Sequence, residues 1–153
     1  MSTILSVILF VLLDQTSKIF LTKINEVGRV DYTVIPNFFH ITYTKNYGAA
    51  FSILQGKRYW FIVITLIVLI LLIGYLCKEK PQKWEKMAII LIISGACGNL
   101  IDRIINGYVI DFLDFNLFGY AFPVFNIADC YITIGALMLI VGELWKGEKN
   151  GRN

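Results

Sequence analysis

The chain has 153 residues, of which 57% are hydrophobic and 16% are charged, and its mean hydropathy is +0.67. Soluble domains contain roughly 45–50% apolar and about 25% charged residues, so this composition excludes an ordinary soluble domain and indicates an integral membrane protein. The formal net charge of +3 is small and the charges are scattered, which disfavours nucleic-acid binding. We therefore expect lipid or lipid-embedded partners and no nucleic acid.

The first apolar stretch, residues 3–22, predicts a transmembrane helix. No Lys or Arg precedes it and no small-residue cleavage site follows it, which favours a retained span over a signal peptide. Asp14 and Lys18 lie one helical turn apart and share a face. Charges within a span are costly and tend to face a partner or a functional cavity. The two residues therefore form either a structural ion pair or the lining of a polar site.

Residues 23–58 consist of short alternating runs rich in β-branched and aromatic residues, interrupted by breakers such as Gly28 and Pro36. This pattern predicts a small β-sheet element and a surface loop. The small residues in 46–51 are typical of a tight turn before a helix, or of a place where a ligand approaches the backbone closely. His40 has no companion at metal-ligand spacing, so it is interpreted as an ordinary interfacial histidine.

Three further spans are predicted at residues 59–77, 87–105 and 125–145, each close to the roughly 20 residues that a bilayer requires. The short loop 78–86 holds four lysines, whereas residues 106–125 contain no Lys or Arg. The positive-inside rule then places 78–86 and both termini in the cytoplasm and 106–125 outside.

The predicted fold class is an all-α polytopic membrane protein with four transmembrane helices and a small extracytoplasmic β-sheet element, in one integral-membrane domain over residues 1–153. Cys77, Cys97 and Cys130 lie within or at the ends of apolar segments and are interpreted as small fillers. Small residues in the third and fourth spans should allow the helices to approach closely. They are Gly95, Ala96, Gly98, Gly135 and Ala136.

The later spans also carry polar residues at helical spacing. Asn99, Asp102 and Arg103 are separated by three and four positions, so they share one face of the third span. Asn126 and Asp129 are three apart and share a face of the fourth. With the N-terminus inside, the polar residues of three spans fall at one depth, in the outer half of the bilayer.

Residues 109–130 surround Asp111, Asp114 and Asp129 with aromatic and aliphatic residues. Apolar surroundings and a second carboxylate both raise the pKa of a carboxyl group, so two such groups can share one proton. We hypothesise that Asp111 and Asp129 form an acid/base pair. Zinc is disfavoured because soft and imidazole ligands are missing, whereas magnesium stays open in principle. Ser94 has no base at an obvious spacing.

At these residues the chain resembles the lipoprotein signal peptidase family, also called signal peptidase II, over almost its whole length. The motifs are specific in combination and occur in the family's order. They are Asp14-Gln15-x-x-Lys18, Asn46-x-Gly48-Ala49-Ala50-Phe51, Gly98-Asn99-Leu100-Ile101-Asp102-Arg103, Val109-Ile110-Asp111-Phe112 and Phe122-Pro123-x-Phe125-Asn126-x-Ala128-Asp129.

The resemblance implies an aspartic endopeptidase of the bacterial inner membrane, with Asp111 and Asp129 as its catalytic dyad and no metal or cofactor. Its substrates would be prolipoproteins, cut on the amino side of the diacylglyceryl-modified cysteine, and its inhibitors would include globomycin-type peptides. Residues that would contact substrate or inhibitor are Asn46, Gly48, Asn99, Arg103 and Asn126. Residues that would support the site are Asp14, Lys18 and Asp102. Cys130 departs from the family, which more often has Ser there, and this affects at most a local hydrogen bond.

Two other functional classes are compatible with the sequence. A small proton-coupled transporter would also place ionisable residues inside the membrane, although no inverted repeat is visible. A binding-only membrane adaptor would leave the carboxylate pair without a role. In a peptidase, we further expect residues 28–51 to cover the dyad and close on the substrate, with Gly28, Pro36 and Gly48 defining the moving parts.

Overall fold

The computed structural model describes residues 2–27, 31–48 and 56–150. Within these ranges the chain forms four helices and four β-strands. In chain order they are α1 (Thr3–Val27), β1 (Asp31–Ile35), β2 (Phe39–Asn46), α2 (Arg58–Lys78), α3 (Lys83–Ile105), β3 (Val109–Leu117), β4 (Tyr120–Ala121) and α4 (Ile127–Asn150).

All four of these helices contain a segment long and apolar enough to cross a membrane. The segments are Thr3–Asn25, Arg58–Lys78, Lys83–Ile105 and Ile127–Lys146. Only 6% of the apolar window of α2 is buried inside the protein, against 67% for α3. Helix α2 therefore presents apolar side chains outward nearly all round, as a lipid-facing helix does, and α3 is the central helix. The chain is a multi-pass membrane protein, as the composition predicts.

Helix α3 packs against α4, α1 and α2, and its buried residues Ile89, Ile93 and Leu100 form a core with Leu69 of α2. The α3–α4 contact depends on small residues. A Cβ atom on Gly95 would collide with the carbonyl oxygen of Ala128, and a Cβ on Gly135 with that of Ala88. This close approach confirms the sequence prediction for the third and fourth spans.

The strands form one antiparallel sheet in the order β1-β2-β3-β4. Strand β3 begins just after α3 ends, and its first residue pairs with the last residue of β2, Val109 with Asn46. A single bridge between Leu113 and Phe125 joins β3 to the segment that leads into α4. The sheet therefore lies at one end of the helix bundle and brings β2, β3 and the start of α4 together.

The strands of the sheet come from other parts of the chain than those predicted. The β element was expected within residues 23–58 and a loop over 106–125, but α1 continues to Val27 and two of the four strands come from 109–121. The first four residues of β3 are all buried, so they lack the polar alternation by which a half-exposed strand is recognised. Gly28 and residues 49–51, which belong to the expected cover, lie outside the described residues.

Candidate active site

Asp111 and Asp129, which are distant in sequence, line the same cavity. Asp111 lies on β3 and Asp129 in the first turn of α4. The cavity has a volume of about 550 Å³. Its other polar lining residues are Asn46, Asn99, Arg103 and Thr133. Its apolar wall includes Phe122, Pro123, Val124, Phe125, Ile132 and Ile134.

Asp111 is only 2% exposed, and each of its carboxylate oxygens accepts a hydrogen bond from an amide. Asn126 Nδ2 donates to Oδ1 over 2.6 Å, and Asn46 Nδ2 donates to Oδ2 over 2.8 Å. Burial is the main cause that raises the pKa of this carboxyl to about 6; the neighbouring Asp129 acts in the same direction, while the two amide donors act against the shift. Asp111 therefore holds a proton much more readily than an exposed aspartate does.

Asp129 is fixed by the N-terminus of α4. Asn126 N donates to Asp129 Oδ2 over 3.2 Å, and Asp129 N donates to Asn126 Oδ1 over 3.0 Å. This reciprocal arrangement is a capping box with Asn126 as the N-cap residue. The Asp129 carboxylate thus caps a helix and lines the cavity at the same time, so one role does not exclude the other.

Two asparagines connect the carboxylates. The Nδ2 of Asn126 donates to Asn99 Oδ1 over 3.2 Å as well as to Asp111, and Asn99 Nδ2 donates to Asp129 Oδ1 over 2.7 Å. A continuous chain of hydrogen bonds therefore runs from Asp111 through Asn126 and Asn99 to Asp129. Both amides are buried, so this chain fixes where the two carboxylates lie relative to each other.

Behind the cavity lies a fully buried ionic cluster. Lys18 Nζ is 2.9 Å from Asp14 Oδ2 and 2.8 Å from Asp102 Oδ2, and it donates to Asn99 Oδ1 over 3.1 Å. The pairing of Asp14 with Lys18 predicted from their spacing is confirmed, and Asp102 makes the pair a triad. Gln15 Nε2 donates to both carboxylates, over 3.2 Å to Asp14 and 3.1 Å to Asp102.

The triad also holds the backbone next to each cavity aspartate. Ala128 N, one residue before Asp129, donates to Asp14 Oδ1 over 3.0 Å. Ile110 N, one residue before Asp111, donates to Asp102 Oδ2 over 3.3 Å. The buried charges of α1 and α3 are thereby linked to both strand β3 and helix α4.

Arg103 joins the site from another side. Its Nη2 donates to Gly48 O over 3.2 Å, and its guanidinium lies 5.0 Å from the ring centroid of Phe61. Gly48 N donates in turn to Asn46 Oδ1 over 2.9 Å. The end of β2 is thus tied to α3. Asn46, Asn99 and Arg103 line the cavity with the two aspartates, whereas Gly48 and Asn126 form hydrogen bonds with these lining residues.

Two further residues considered from the sequence lie outside the site, and one residue of the site was not predicted. Asp114 pairs with His40 across β2 and β3 and does not line the cavity. Ser94 donates its hydroxyl hydrogen to Ile90 O, so it is a helix-bound side chain rather than a nucleophile. Gln15 was given no role from the sequence, although a polar side chain next to Asp14 within a span was the available signal.

In the part of the chain that is described, no group of three or more His, Cys, Asp and Glu side chains is placed to hold a metal ion. The polar groups around the cavity are instead arranged as donors and acceptors of hydrogen bonds, which suits proton transfer.

The four spans and the paired carboxylates define a multi-pass membrane protein with a polar cavity at one end of its bundle. The chain belongs to the signal peptidase II family, since the model of that family, described as signal peptidase (SPase) II, matches residues 6–145. The resemblance drawn from the five motifs is confirmed. Members are proteases, which decides against the carrier and adaptor alternatives.

Individual proteins named as lipoprotein signal peptidases are similar in sequence to most of this chain. It is 45% identical over 138 residues to a lipoprotein signal peptidase of Staphylococcus haemolyticus strain JCSC1435, covering 90% of this chain and 87% of that protein. It is 42% identical over 144 residues to a lipoprotein signal peptidase of Staphylococcus aureus strain JH9, covering 94% and 88%.

Two solved structures have the same fold. Both are described as bacterial membrane enzymes determined by the in meso method, at 2.3 Å and 1.9 Å resolution. The first has a TM-score of 0.88 and 39% identity over 96% of this chain and 90% of that one. The second has a TM-score of 0.81 and 41% identity over 93% and 92%.

Proposed function

We propose that this chain is an aspartic endopeptidase that removes the signal peptide of prolipoproteins on the amino side of the diacylglyceryl-modified cysteine. The relatives named lipoprotein signal peptidase support the substrate class. The observation that carries the chemistry is that Asp111 and Asp129 line one cavity and are joined through Asn126 and Asn99.

In the proposed reaction the dyad holds one proton between two carboxyl groups. The ionised carboxylate takes a proton from water as the water oxygen bonds to the scissile carbonyl carbon, and the protonated partner donates to the carbonyl oxygen. When the carbon–nitrogen bond breaks, the first carboxyl gives its proton to the leaving nitrogen, and the second takes a proton back from a hydroxyl of the tetrahedral intermediate as the new carboxyl group forms. The dyad then holds one proton again, as at the start. The raised pKa of Asp111, about 6, makes the protonated form accessible near neutral pH. The proton belongs to the pair rather than to one residue.

The surrounding residues have distinct proposed roles. Arg103 lines the cavity and is suited to donate to peptide carbonyls of a substrate or of a globomycin-type inhibitor. Asn46, Asn99 and Asn126 donate to the dyad itself and position it. Asp14, Lys18 and Asp102 support the site from behind.

The apolar wall fits a substrate that stays attached to the membrane by its lipid. Phe122 and Ile134 line the cavity and are 39% and 49% exposed, so the cavity reaches the apolar surface of the protein. A lipid anchor would hold the scissile bond at one depth, which reduces the entropy lost when it meets the dyad. We place this site at the extracytoplasmic side and both termini in the cytoplasm, because of the lysines in 78–86.

The direct test uses the purified protein and a diacylglyceryl-modified prolipoprotein, with products resolved by gel and mass spectrometry. We expect one cut on the amino side of the lipidated cysteine, no processing of the unmodified precursor, and full activity in EDTA. Failure to cut the lipidated precursor, a cut elsewhere, or activity that EDTA removes and added metal restores would contradict the proposal.

A further inference from the structure

Two tight turns lie side by side at the end of the sheet farthest from α3. One connects β1 to β2 and the other connects β3 to β4, and we call residues 35–38 and 117–120 the turn edge. Asn116 N donates to Phe38 O over 2.8 Å, and the rings of Phe38 and Phe115 are 5.6 Å apart. Strand β3 covers nine residues, so the turn edge lies roughly 26 Å along the strand from its first residue at about 3.3 Å per residue.

The second turn contains an unusual residue. Phe118 has a φ of +54° and is followed by Gly119 at +88°. Two-residue hairpin turns with both φ angles positive strongly prefer Asn-Gly or Gly-Gly, and a bulky side chain in the left-handed region is an outlier. Phe118 is also 108% exposed. The chain therefore holds a large apolar side chain at a strained position where the rest of the protein does not contact it.

The neighbours of Phe118 share its apolar exposure. The exposed large side chains of the turn edge are Ile35, Phe38, Leu117, Phe118 and Tyr120. Residues 115–125 carry no charge at all, so the surface is not suited to an acidic or basic partner. Tyr is enriched at the boundary between membrane and water, and segments that lie in that boundary bury Phe and Leu side chains among the headgroups.

This surface is continuous with the surface that faces lipid. Beyond the turn edge, exposed Phe122 and then Ile134 border the cavity, and Leu137 and Val141 continue along α4 with more than half of each side chain exposed. Helix α4 contains one of the membrane spans. We propose that the turn edge enters the membrane interface, with Phe118 inserted between lipid headgroups and acyl chains. The contact is hydrophobic, so it does not depend on anionic lipid, and it fixes the depth of strand β3.

The test measures the depth of the turn edge in a bilayer. The three native cysteines are replaced by alanine, a nitroxide is attached through Tyr120→Cys, and the protein is placed in nanodiscs of zwitterionic phosphatidylcholine. Collisions of the label with oxygen report lipid, and collisions with a water-soluble nickel chelate report water. We expect an oxygen-rich, nickel-poor position that is the same in an anionic bilayer.

Substitutions at Phe118 test whether its apolar side chain is what holds the turn edge in lipid. Phe118→Asn fits the turn better but removes the apolar side chain, so nickel collisions should rise severalfold while the melting temperature in detergent stays equal or increases. Phe118→Leu is the matched control, because it keeps an apolar side chain at the same strained position and should keep the label in lipid.

Three outcomes would overturn the proposal. Nickel collisions that are equally frequent with Phe, Leu and Asn would show that Phe118 does not hold the edge in lipid. Spin–spin broadening that disappears when labelled protein is diluted with unlabelled protein would identify a second copy as the partner. A lower melting temperature of Phe118→Asn in detergent would mean that Phe118 stabilises the protein itself.

Discussion

Asp111 experiences opposing influences on its ionisation, and burial is the strongest of them. The pKa of the carboxyl rises from its usual 3.8 to about 6 despite the amide donors Asn46 and Asn126. A carboxyl whose pKa is higher in the folded than in the unfolded protein stabilises the fold in its protonated form. That contribution is fully present below the unfolded pKa and is lost as pH rises through about 6.

The pH dependence of stability follows from the upward shift in the pKa of Asp111. Asp111→Asn cannot ionise, so the stability of the variant relative to the unchanged protein should increase by about 2 kcal/mol between about pH 4 and pH 7. Unfolding followed in one detergent across that range measures the difference. Asp114→Asn, in the same strand but outside the cavity, is the control for placing an asparagine in β3. A flat difference for Asp111→Asn would mean that Asp111 is not desolvated.

The buried triad of Asp14, Lys18 and Asp102 gives a second prediction for single substitutions. Lys18 contacts Asp14 and Asp102, so Lys18→Met leaves two uncompensated carboxylates, whereas Asp14→Asn leaves a neutral pair. Breaking a buried ionic group by removing one partner costs about 3–5 kcal/mol, and we expect Lys18→Met to reach that range and Asp14→Asn to cost less. The double variant should cost less than the sum. Equal, strictly additive costs in chemical unfolding would argue against the triad.

The elements differ in how far the sequence determined them. Helix α2 follows from an uninterrupted apolar run, and the Asp14–Lys18 pairing follows from a spacing of four within one helix. Strand β3 was missed because its start is buried on both sides and its partner β2 is remote in sequence. For the same reason the contact of Lys18 with Asp102 had no sequence signal, since it joins two separate helices. Local spacing predicts contacts within an element, whereas contacts between elements need the fold.

The contact between α1 and α3 depends on a missing side chain. A Cβ atom on Gly98 would collide with the carboxylate of Asp14, whereas a Cβ on Gly74 of α2 would meet nothing within 4 Å. Gly98→Ala should therefore lower the free energy of unfolding by about 1–3 kcal/mol and reduce cleavage, because the triad must move. Gly74→Ala should be neutral or stabilise by up to about 1 kcal/mol. The same thermal and cleavage assays on both variants make the comparison, and equal behaviour would exclude this packing role.

For the molecule as a whole, the orientation in the membrane decides which substrates reach the site. On the cysteine-free background, Lys80→Cys lies in the short loop before α3, and Asp31→Cys lies at the exposed start of β1, in the sheet but outside the turn edge. We expect an impermeant thiol reagent to label Asp31→Cys from outside intact cells and Lys80→Cys only after permeabilisation. The opposite pattern would place the cavity on the cytoplasmic side.

The central helix and the sheet together explain why the cavity is polar in an apolar protein. Asn99, Asp102 and Arg103 project from α3, and the sheet and the first turn of α4 bring Asp111 and Asp129 to them. The buried charges of Asp14, Lys18, Asp102 and Asp111 each have a partner in this network, which is how a membrane protein tolerates them.

The most direct test of the catalytic dyad compares single-turnover cleavage of a lipidated prolipoprotein by the unchanged protein, Asp111→Asn, Asp129→Asn and Asp114→Asn, with melting temperatures measured in parallel. General acid–base catalysis contributes about 10²–10⁴-fold, so we expect both dyad variants to lose at least about 10²-fold in rate while staying folded. Asp114→Asn should cleave normally. A folded Asp111→Asn or Asp129→Asn variant that cleaves at close to the normal rate would contradict the assignment.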